Sequence, residues 1–480
     1  MASAALQWVV CNTITIKKYL HIISSTTLVS LAAILVYYLN HHSAITTSMG
    51  NWPYAYAINF KVDKLSAIML ICFAIVIWSI SIFTLGERAR HHNSKWYYVS
   101  FWFLVLGIVG TIFTADLFNL YVWIEVTFIS TLVLLSISHT RHKTALFRYL
   151  ILNLIGTFVM LIAVAIIYGV TGTLNIYLIA DYWPHLTINQ QLLFTLLLFS
   201  AFAIKSGLFP WYVWLPPAYP APQASSSALI SGLVTKASMA VMLRLILLWA
   251  PLHSNYVQQI LVVIALFTMV LGVLGAAIQF EFRRILSFHI VSQLGYIALG
   301  IAIGTEQAIV ATLYFLMHNI FVKSNLFLVS GYVEQLAHQR SLKKLGDWLS
   351  FFPLISIIFF LSAFSLVGFP PLSGFWGKFL LLKSALETHH NISAIWAVAV
   401  SLFTLYSMTK IWNYVFCQKN PATAKFATHG AISLRKRIPQ YYAMLLLLFA
   451  SLWIALMPNT TLLYLQATAQ QLAHSGVVYV

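Results

Sequence analysis

Acidic side chains are scarce in this sequence: 10 Asp and Glu stand among 480 residues, against 27 Lys and Arg. Charged residues of both signs make up only 8%, where a water-soluble protein carries about 25%. There is too little polar surface to coat a globule in water. Cysteine is rarer still. Cys11, Cys72 and Cys417 are far apart, odd in number and form no CxxC pair, which argues against a disulfide framework, an iron–sulfur cluster or a zinc site. No GxGxxG follows a strand pattern, so no dinucleotide fold is expected. The expectation is therefore no cofactor and no metal site, with any redox chemistry left to other subunits. A net charge of +17 would suggest nucleic acid in a soluble protein. In so apolar a chain it is read instead as a topology signal, and no nucleic-acid partner is expected.

What the sequence has is oil. Hydrophobic residues make up 61% of it, in runs long enough, at about 20 residues, to cross a bilayer. Thirteen such segments are readable, near 22–39, 65–86, 97–114, 115–137, 145–169, 191–215, 224–247, 257–279, 286–303, 307–330, 352–386, 391–416 and 441–457. Lipid cannot satisfy open backbone groups, so the segments are expected to be helices. The longest polar linkers lie around 331–351 and 417–440. Lys17 and Lys18 precede an apolar run that is too long for a signal peptide and lacks a small-residue cleavage site.

Basic residues fix a direction. With residues 1–21 inside and each segment crossing once, the inner side receives Lys17, Lys18, Arg88, Arg90, Lys95, Arg141, Lys143, Arg148, Arg283, Arg284, Arg340, Lys343, Lys344, Lys419, Lys425, Arg435, Lys436 and Arg437. The outer side receives only Lys61 and Lys64. That asymmetry is the positive-inside pattern, and it puts the C-terminus outside.

Seven basic residues remain within the segments. Arg244, Lys383 and Lys410 lie close enough to helix ends to snorkel. Lys205, Lys236, Lys323 and Lys378 are deeper, and Glu125 is the one carboxylate clearly in mid-segment. Asp116 starts the same helix and is expected at the interface. An intramembrane charge costs about 2.5–3.5 kcal/mol on insertion scales, so such residues usually face a cavity or a partner. One glutamate cannot neutralise four lysines, and desolvation and mutual repulsion work against holding all four charged at once. A lysine that can be neutral or charged is a proton carrier. Glu125 would favour the protonated form of a lysine beside it; the competing reading is a static ion pair. His318, in YFLMHNIFVKSNLF, is a second proton-relay candidate. It lies five residues before Lys323, about 140° away around a helix. A histidine merely hydrogen-bonded in the bundle is the rival reading.

Proline and glycine interrupt two segments, IKSGLFPWYVWLPPAY and VGFPPLSGFWGKF. Prolines remove backbone donors, and broken backbone survives at membrane depth only inside protein or beside water. A hydrated pocket is expected beside Lys205 and Lys378; a packing kink is the alternative. Lys205 and Lys236 are 31 apart, and Lys378 and Lys410 are 32 apart. Five segments separate corresponding elements, which gives opposite orientations, the pattern of inverted-repeat transporters.

These residues carry a family resemblance. AFAIKSGLFPWYVWLPPAYPAPQASSSALISGLVTKA resembles the core signature of the antiporter-like subunits shared by respiratory complex I, membrane-bound hydrogenases and Mrp-type sodium/proton antiporters, and ADLFNLYVWIEV resembles the family's glutamate-bearing fifth helix. TGTLNIYLIA, SLVGFPPLSGFWGKFLLLKSAL and LFTLYSMTKIW look most like the D subunit of the Mrp-type complex. The likeness runs from about residue 50 to 416. It implies an all-α polytopic membrane protein of 13–14 helices with discontinuous helices. It also implies two inverted five-helix repeats, over 97–247 and 257–416, between N-terminal helices at 1–96 and a linker and last helix at 417–480. Residues 1–21 leave the family's first helix short or missing. Glu125, Lys205, Lys236 and Lys378 match the family's proton-path positions, with His318 and Lys323 on the connecting helix and Lys410 a further candidate. Some complex I relatives place glutamate at the Lys378 position. The implied function is a membrane subunit of a multi-subunit monovalent cation (Na+)/proton antiporter in a bacterial cytoplasmic (inner) membrane, partnered by other membrane subunits, protons, cations and lipid. The alternatives are a proton-pumping subunit of NADH:quinone oxidoreductase or a membrane-bound hydrogenase and, more distantly, a module coupling ion flow to bicarbonate uptake.

Overall fold

A computed structural model describes residues 2–9, 14–87, 95–137, 143–249, 255–419 and 434–476. Arg88, Arg90, Arg141 and Lys425, counted above toward the inner side, lie outside the described residues.

The chain is helical, as its apolar runs require. Helices α1 (Ala2–Val9) and α2 (Ile14–His41) lead into a two-stranded antiparallel hairpin, β1 (Ile45–Ser48) and β2 (Asn59–Val62). Then come α3 (Lys64–Gly86), α4 (Lys95–Phe113), α5 (Leu117–Ile137), α6 (Lys143–Thr171) and the short α7 (Ile176–Tyr182). The first broken segment follows: α8 (Ile188–Ser206), a 3-10 turn (Trp211–Trp214) and α9 (Leu215–Ala218). Next are α10 (Ala224–Trp249), α11 (Asn255–Ile278), α12 (Phe282–Ile303), α13 (Glu306–Ala337) and the single turn α14 (Trp348–Phe351). The second broken segment is α15 (Pro353–Val367) and α16 (Ser373–Glu387). Helix α17 (Asn391–Ile411) runs into a π-turn (Trp412–Cys417), and α18 (Leu434–Leu456) and α19 (Pro458–Gly476) end the chain.

Eleven described helices are long and apolar enough to cross a membrane. Two expected segments fall outside that group for physical reasons. The segment at 352–386 is two 15-residue helices, each too short alone. Helix α13 is long enough at 32 residues, but it carries His318, Asn319, Lys323, Ser324 and Asn325. It tolerates them because it faces no lipid there: all five are at most 1% exposed. Other boundaries also shift. The first long helix starts at Ile14, not 22, so Lys17 is a buried helical residue rather than part of a loop. Helix α13 extends to Ala337 and shortens the expected linker at 331–351.

A helix apolar or buried on every side belongs in the middle of a bundle. Helices α10, α12 and α13 are that middle, with nearly every residue buried. Helix α13 packs against α10, α12, α15, α16, α18 and α19.

Alternating crossings sort the loops onto two faces, and among the described residues the following contacts each join loops of one face. On the hairpin face, Phe60 bridges Thr114 and Asp116 bridges Asn175, Trp249 donates to the Ile176 carbonyl, and Lys64 N–H donates to Gln471 of α19. On the opposite face, Glu281 bridges Ser341, Ser225 N–H donates to Glu87, and Arg283 pairs with Glu334 at 3.0 Å.

Candidate functional site

The site starts at the two breaks. Helix α8 ends in a left-handed glycine, Gly207 at φ +79°, and α15 ends in another, Gly368 at φ +95°. A left-handed C-cap terminates a helix and costs glycine least. Prolines follow, at 210 in the first break and at 370 and 371 in the second. The lysines sit differently around these stops. Lys205 is the penultimate residue of α8. Lys378 lies inside α16, beyond the break, and reaches back to it: its Nζ donates to the Val367 carbonyl at 2.9 Å and to Ser401 Oγ at 3.1 Å. The carbonyl orphaned by the break is what the ammonium uses.

Around Lys205 the charges are paired. Its Nζ lies 3.4 Å from Glu125 Oε1 and donates to Thr157 Oγ1 at 2.6 Å, while Thr157 Oγ1 contacts the same carboxylate oxygen at 2.5 Å. Helices α5, α6 and α8 each supply one member. Beside Lys205 is a cavity of about 20 Å³, lined by Thr127, Asn153 and Ser238 among others, with room for about one water. Its far wall is α10, where Lys236 sits.

Lys236 is 1% exposed and donates to the Ser231 carbonyl of its own helix. Lys323 is fully buried, and its Nζ finds no protein hydrogen-bond partner among the described residues. Its helix, α13, packs against α10, which carries Lys236, and against α16, which carries Lys378. His318 is one and a half turns away on α13. Its Nδ1 meets Ser373 Oγ at 2.8 Å, at the start of α16, and Ser373 joins Ser365 and Ser451 at 3.0 Å each. Its Nε2 is buried without a protein partner among the described residues. Lys378 also lies 4.9 Å from the Tyr296 ring centre.

The structure therefore sets Glu125, Lys205, Lys236, Lys323, His318 and Lys378 in a row of helices packed in turn across the bundle, from α5 by way of α6, α8, α10 and α13 to α16, with Glu125 half-buried and the others buried. Lys410 stands apart at the opposite face. It donates to the Ala277 and Gln279 carbonyls at 2.6 and 2.7 Å, where α11 ends, so it acts as a C-terminal helix cap. Lys383 is half exposed, as a snorkelling residue should be, and lies 3.8 Å from Glu387. Arg244 does not snorkel. It is 3% exposed and bonds Asp63 Oδ1, Ser66 Oγ and the Ile112 carbonyl, each at 2.8 Å. The helix end it lies near is covered by α4, α7 and α19, so it pairs inward. Asp116, expected at the interface, is largely buried and accepts from Asn119 N–H at 2.7 Å as a helix cap. Among the described residues no three His, Cys, Asp or Glu gather as a metal site.

The family described as NADH:quinone oxidoreductase/Mrp antiporter matches residues 114–404. The chain belongs to this family. The D subunit of the Na(+)/H(+) antiporter of Alkalihalophilus pseudofirmus is 37% identical to it over 371 residues, covering 77% of this chain and 75% of that protein. The protein of the same name from Bacillus subtilis is 30% identical over 385 residues, covering 79% of this chain and 78% of that protein. Among solved structures, a chain of the Mrp complex from Dietzia sp. DQ12-45-1b superposes with a TM-score of 0.88 at 28% identity, covering 98% of this chain and 95% of that one.

Within the family fold, sequence reasoning missed two parts of the row's surroundings. Thr157 is one, since a threonine in an apolar run carries no signal of what it will touch. His289 of α12 is the other. It is fully buried, and its Nε2 meets Ser407 Oγ at 2.6 Å on α17, the helix whose Ser401 meets Lys378. An ionisable residue in a span is a signal in itself, and His289 carried it.

Proposed function

We propose that this chain is the D subunit of an Mrp-type monovalent cation/proton antiporter and that it carries the proton part of the exchange. The observation that carries the reading is the row from Glu125 to Lys378: titratable groups, one after another, at the centre of the membrane span, with a single carboxylate among them. A proton crosses such a row if each group changes its protonation state in turn. Lys205 would exchange protons with Lys236 by way of the small cavity beside it, Lys236 with Lys323, and Lys323 with Lys378 through His318. Glu125 and Thr157 would hold Lys205 charged until the pair separates. The relatives named as D subunits of Na(+)/H(+) antiporters support the exchanged ion.

The protein spans a membrane many times. By the distribution of basic residues we assign the face opposite the hairpin to the cytoplasm of a bacterial cell and the hairpin and α19 to the outside. The paired left-handed glycines at 207 and 368 support inverted repeats over 97–247 and 257–416.

Partner subunits are part of the reading. Phe369, Pro370 and Pro371 lie exposed at the second break. Non-helical backbone is not tolerated against lipid, so another chain is expected to cover α15–α16 at this level. The test is antiport by everted vesicles carrying the complete set of subunit genes, with sodium, potassium and lithium compared. A cation-dependent collapse of the pH gradient is expected, strongest with sodium. Vesicles that respond to none of the three, at normal abundance of this chain, overturn the reading.

A further inference from the structure

A groove of about 570 Å³ runs down the outside of the bundle between α2, α3, α13, α18 and α19. Its walls are apolar for most of their length: Ile71 and Ile75 of α3, Phe449 and Trp453 of α18, and Phe321 of α13 at the floor. Its end on the hairpin face is different, because Thr460, Thr461 and Tyr464 close it where α18 turns into α19.

A cation stands at that end. Ile68, Ile71, Ile75 and Trp78 form the groove's α3 wall, and Lys64 lies one turn before Ile68, on the same stripe by helical spacing. All five are half-buried, whereas the α3 residues between them are buried. The Tyr464 hydroxyl reaches the Lys64 carbonyl at 3.4 Å, which ties the groove's polar end to Lys64. The depth also fits. From Lys64 to Trp78 the helix rises about 21 Å, about half of a bilayer of 40–45 Å with its headgroups. A volume of 570 Å³ lies within the 300–1,000 Å³ of pockets that hold small molecules.

We propose that this groove is a binding site for one anionic phospholipid of the hairpin-face leaflet. Its phosphate sits at Lys64 beside the Thr460 and Thr461 hydroxyls, and one acyl chain lies along α3 and α18 down to Trp78. The tail packs on Met317 and Phe321, which flank His318 on α13, and so lines the outer side of the helix that carries the centre of the buried row. A cation above an apolar slot one leaflet deep selects an anionic lipid over a partner helix, which would place apolar side chains along the whole length.

The test is native mass spectrometry of the detergent-purified complete complex, incubated with phosphatidylglycerol or with phosphatidylcholine. The wild-type complex is expected to hold one more phosphatidylglycerol per copy of this chain than either Lys64→Gln or Ala450→Phe, the second of which fills the slot. Lys64→Arg should keep that lipid. No variant should differ in phosphatidylcholine. Equal phosphatidylglycerol counts in wild type and both variants overturn the site. Loss in Ala450→Phe with equal retention of both lipids overturns the role of Lys64 and the anionic headgroup. An Ile71→Cys complex whose thiol cross-links efficiently to another subunit shows a protein in the groove and overturns the lipid.

Discussion

At the scale of the residue, the chemistry turns on how few acids there are. Among the described residues Glu125 is the only carboxylate touching the buried row, and it shares Thr157 with Lys205. Glu125→Gln keeps the shape and removes the charge. Antiport by the assembled complex is expected to fall at least tenfold with membrane abundance unchanged, and Glu125→Asp should keep part of the rate. Near-normal exchange in the glutamine variant would make Glu125 a structural part. Lys378 tests the relay itself. Lys378→Ala should abolish exchange at every pH, because no titratable group then meets the Val367 carbonyl and Ser401. Lys378→Arg should fail almost as badly, since arginine stays protonated above about pH 12. Wild-type exchange in the arginine variant, at equal abundance, would show an electrostatic anchor instead of a relay. Asp63 has a different weight. Among the described residues it is the only carboxylate paired with buried Arg244, and removing one member of such a pair costs about 3–5 kcal/mol. Asp63→Asn should therefore lower the thermal unfolding midpoint of the purified complex, an effect that Asp116→Asn, which breaks no ion pair, should not match.

At the scale of the element, the second break exposes one carbonyl, that of Val367, to one ammonium, Lys378, while at the first Lys205 bonds Glu125 and Thr157 instead. Gly368 is where this can be disturbed without touching a charge. A methyl group there would sit 3.1 Å from Lys378 Cδ, on a backbone at φ +95°. The left-handed conformation costs a non-glycine residue about 1–2 kcal/mol, and the contact pushes the lysine stem away from Val367. Gly368→Ala is expected to lower both stability and exchange. Gly172→Ala is the control: it shares the positive φ, at +68°, but its added carbon meets nothing within 4 Å, so stability alone should fall. Helix α13 makes the general point about elements. Its polar residues look like a poor membrane span, yet they are tolerated because α10, α12, α15, α16 and α18 shield them from lipid. A hydropathy argument sees the residues and cannot see the shield.

At the scale of the whole molecule, hard cations want several oxygen ligands, and the described interior offers one deep carboxylate in the row. The purified chain alone is expected to show no sodium-dependent antiport in proteoliposomes; a sodium-driven pH change from the single chain would refute the subunit reading. The sequence by itself determined the class and most of the crossings, and it supports the direction, because those depend on composition and on which loops hold lysine and arginine, both of which are local properties. It also marked the titratable row, since any charge in an apolar run stands out: Glu125, Lys205, Lys236, Lys323 and Lys378 were legible without coordinates. Only the tertiary structure decided their order and neighbours. That the helix of Lys323 packs against those of Lys236 and Lys378, that Thr157 bridges Glu125 and Lys205, that Arg244 is clamped by Asp63 and that Lys410 caps α11 are facts about residues 32 to 181 positions apart. The physical reason is that burial and pairing are set by which helices pack together, and the apolar faces of these helices are too alike in sequence to say which ones meet.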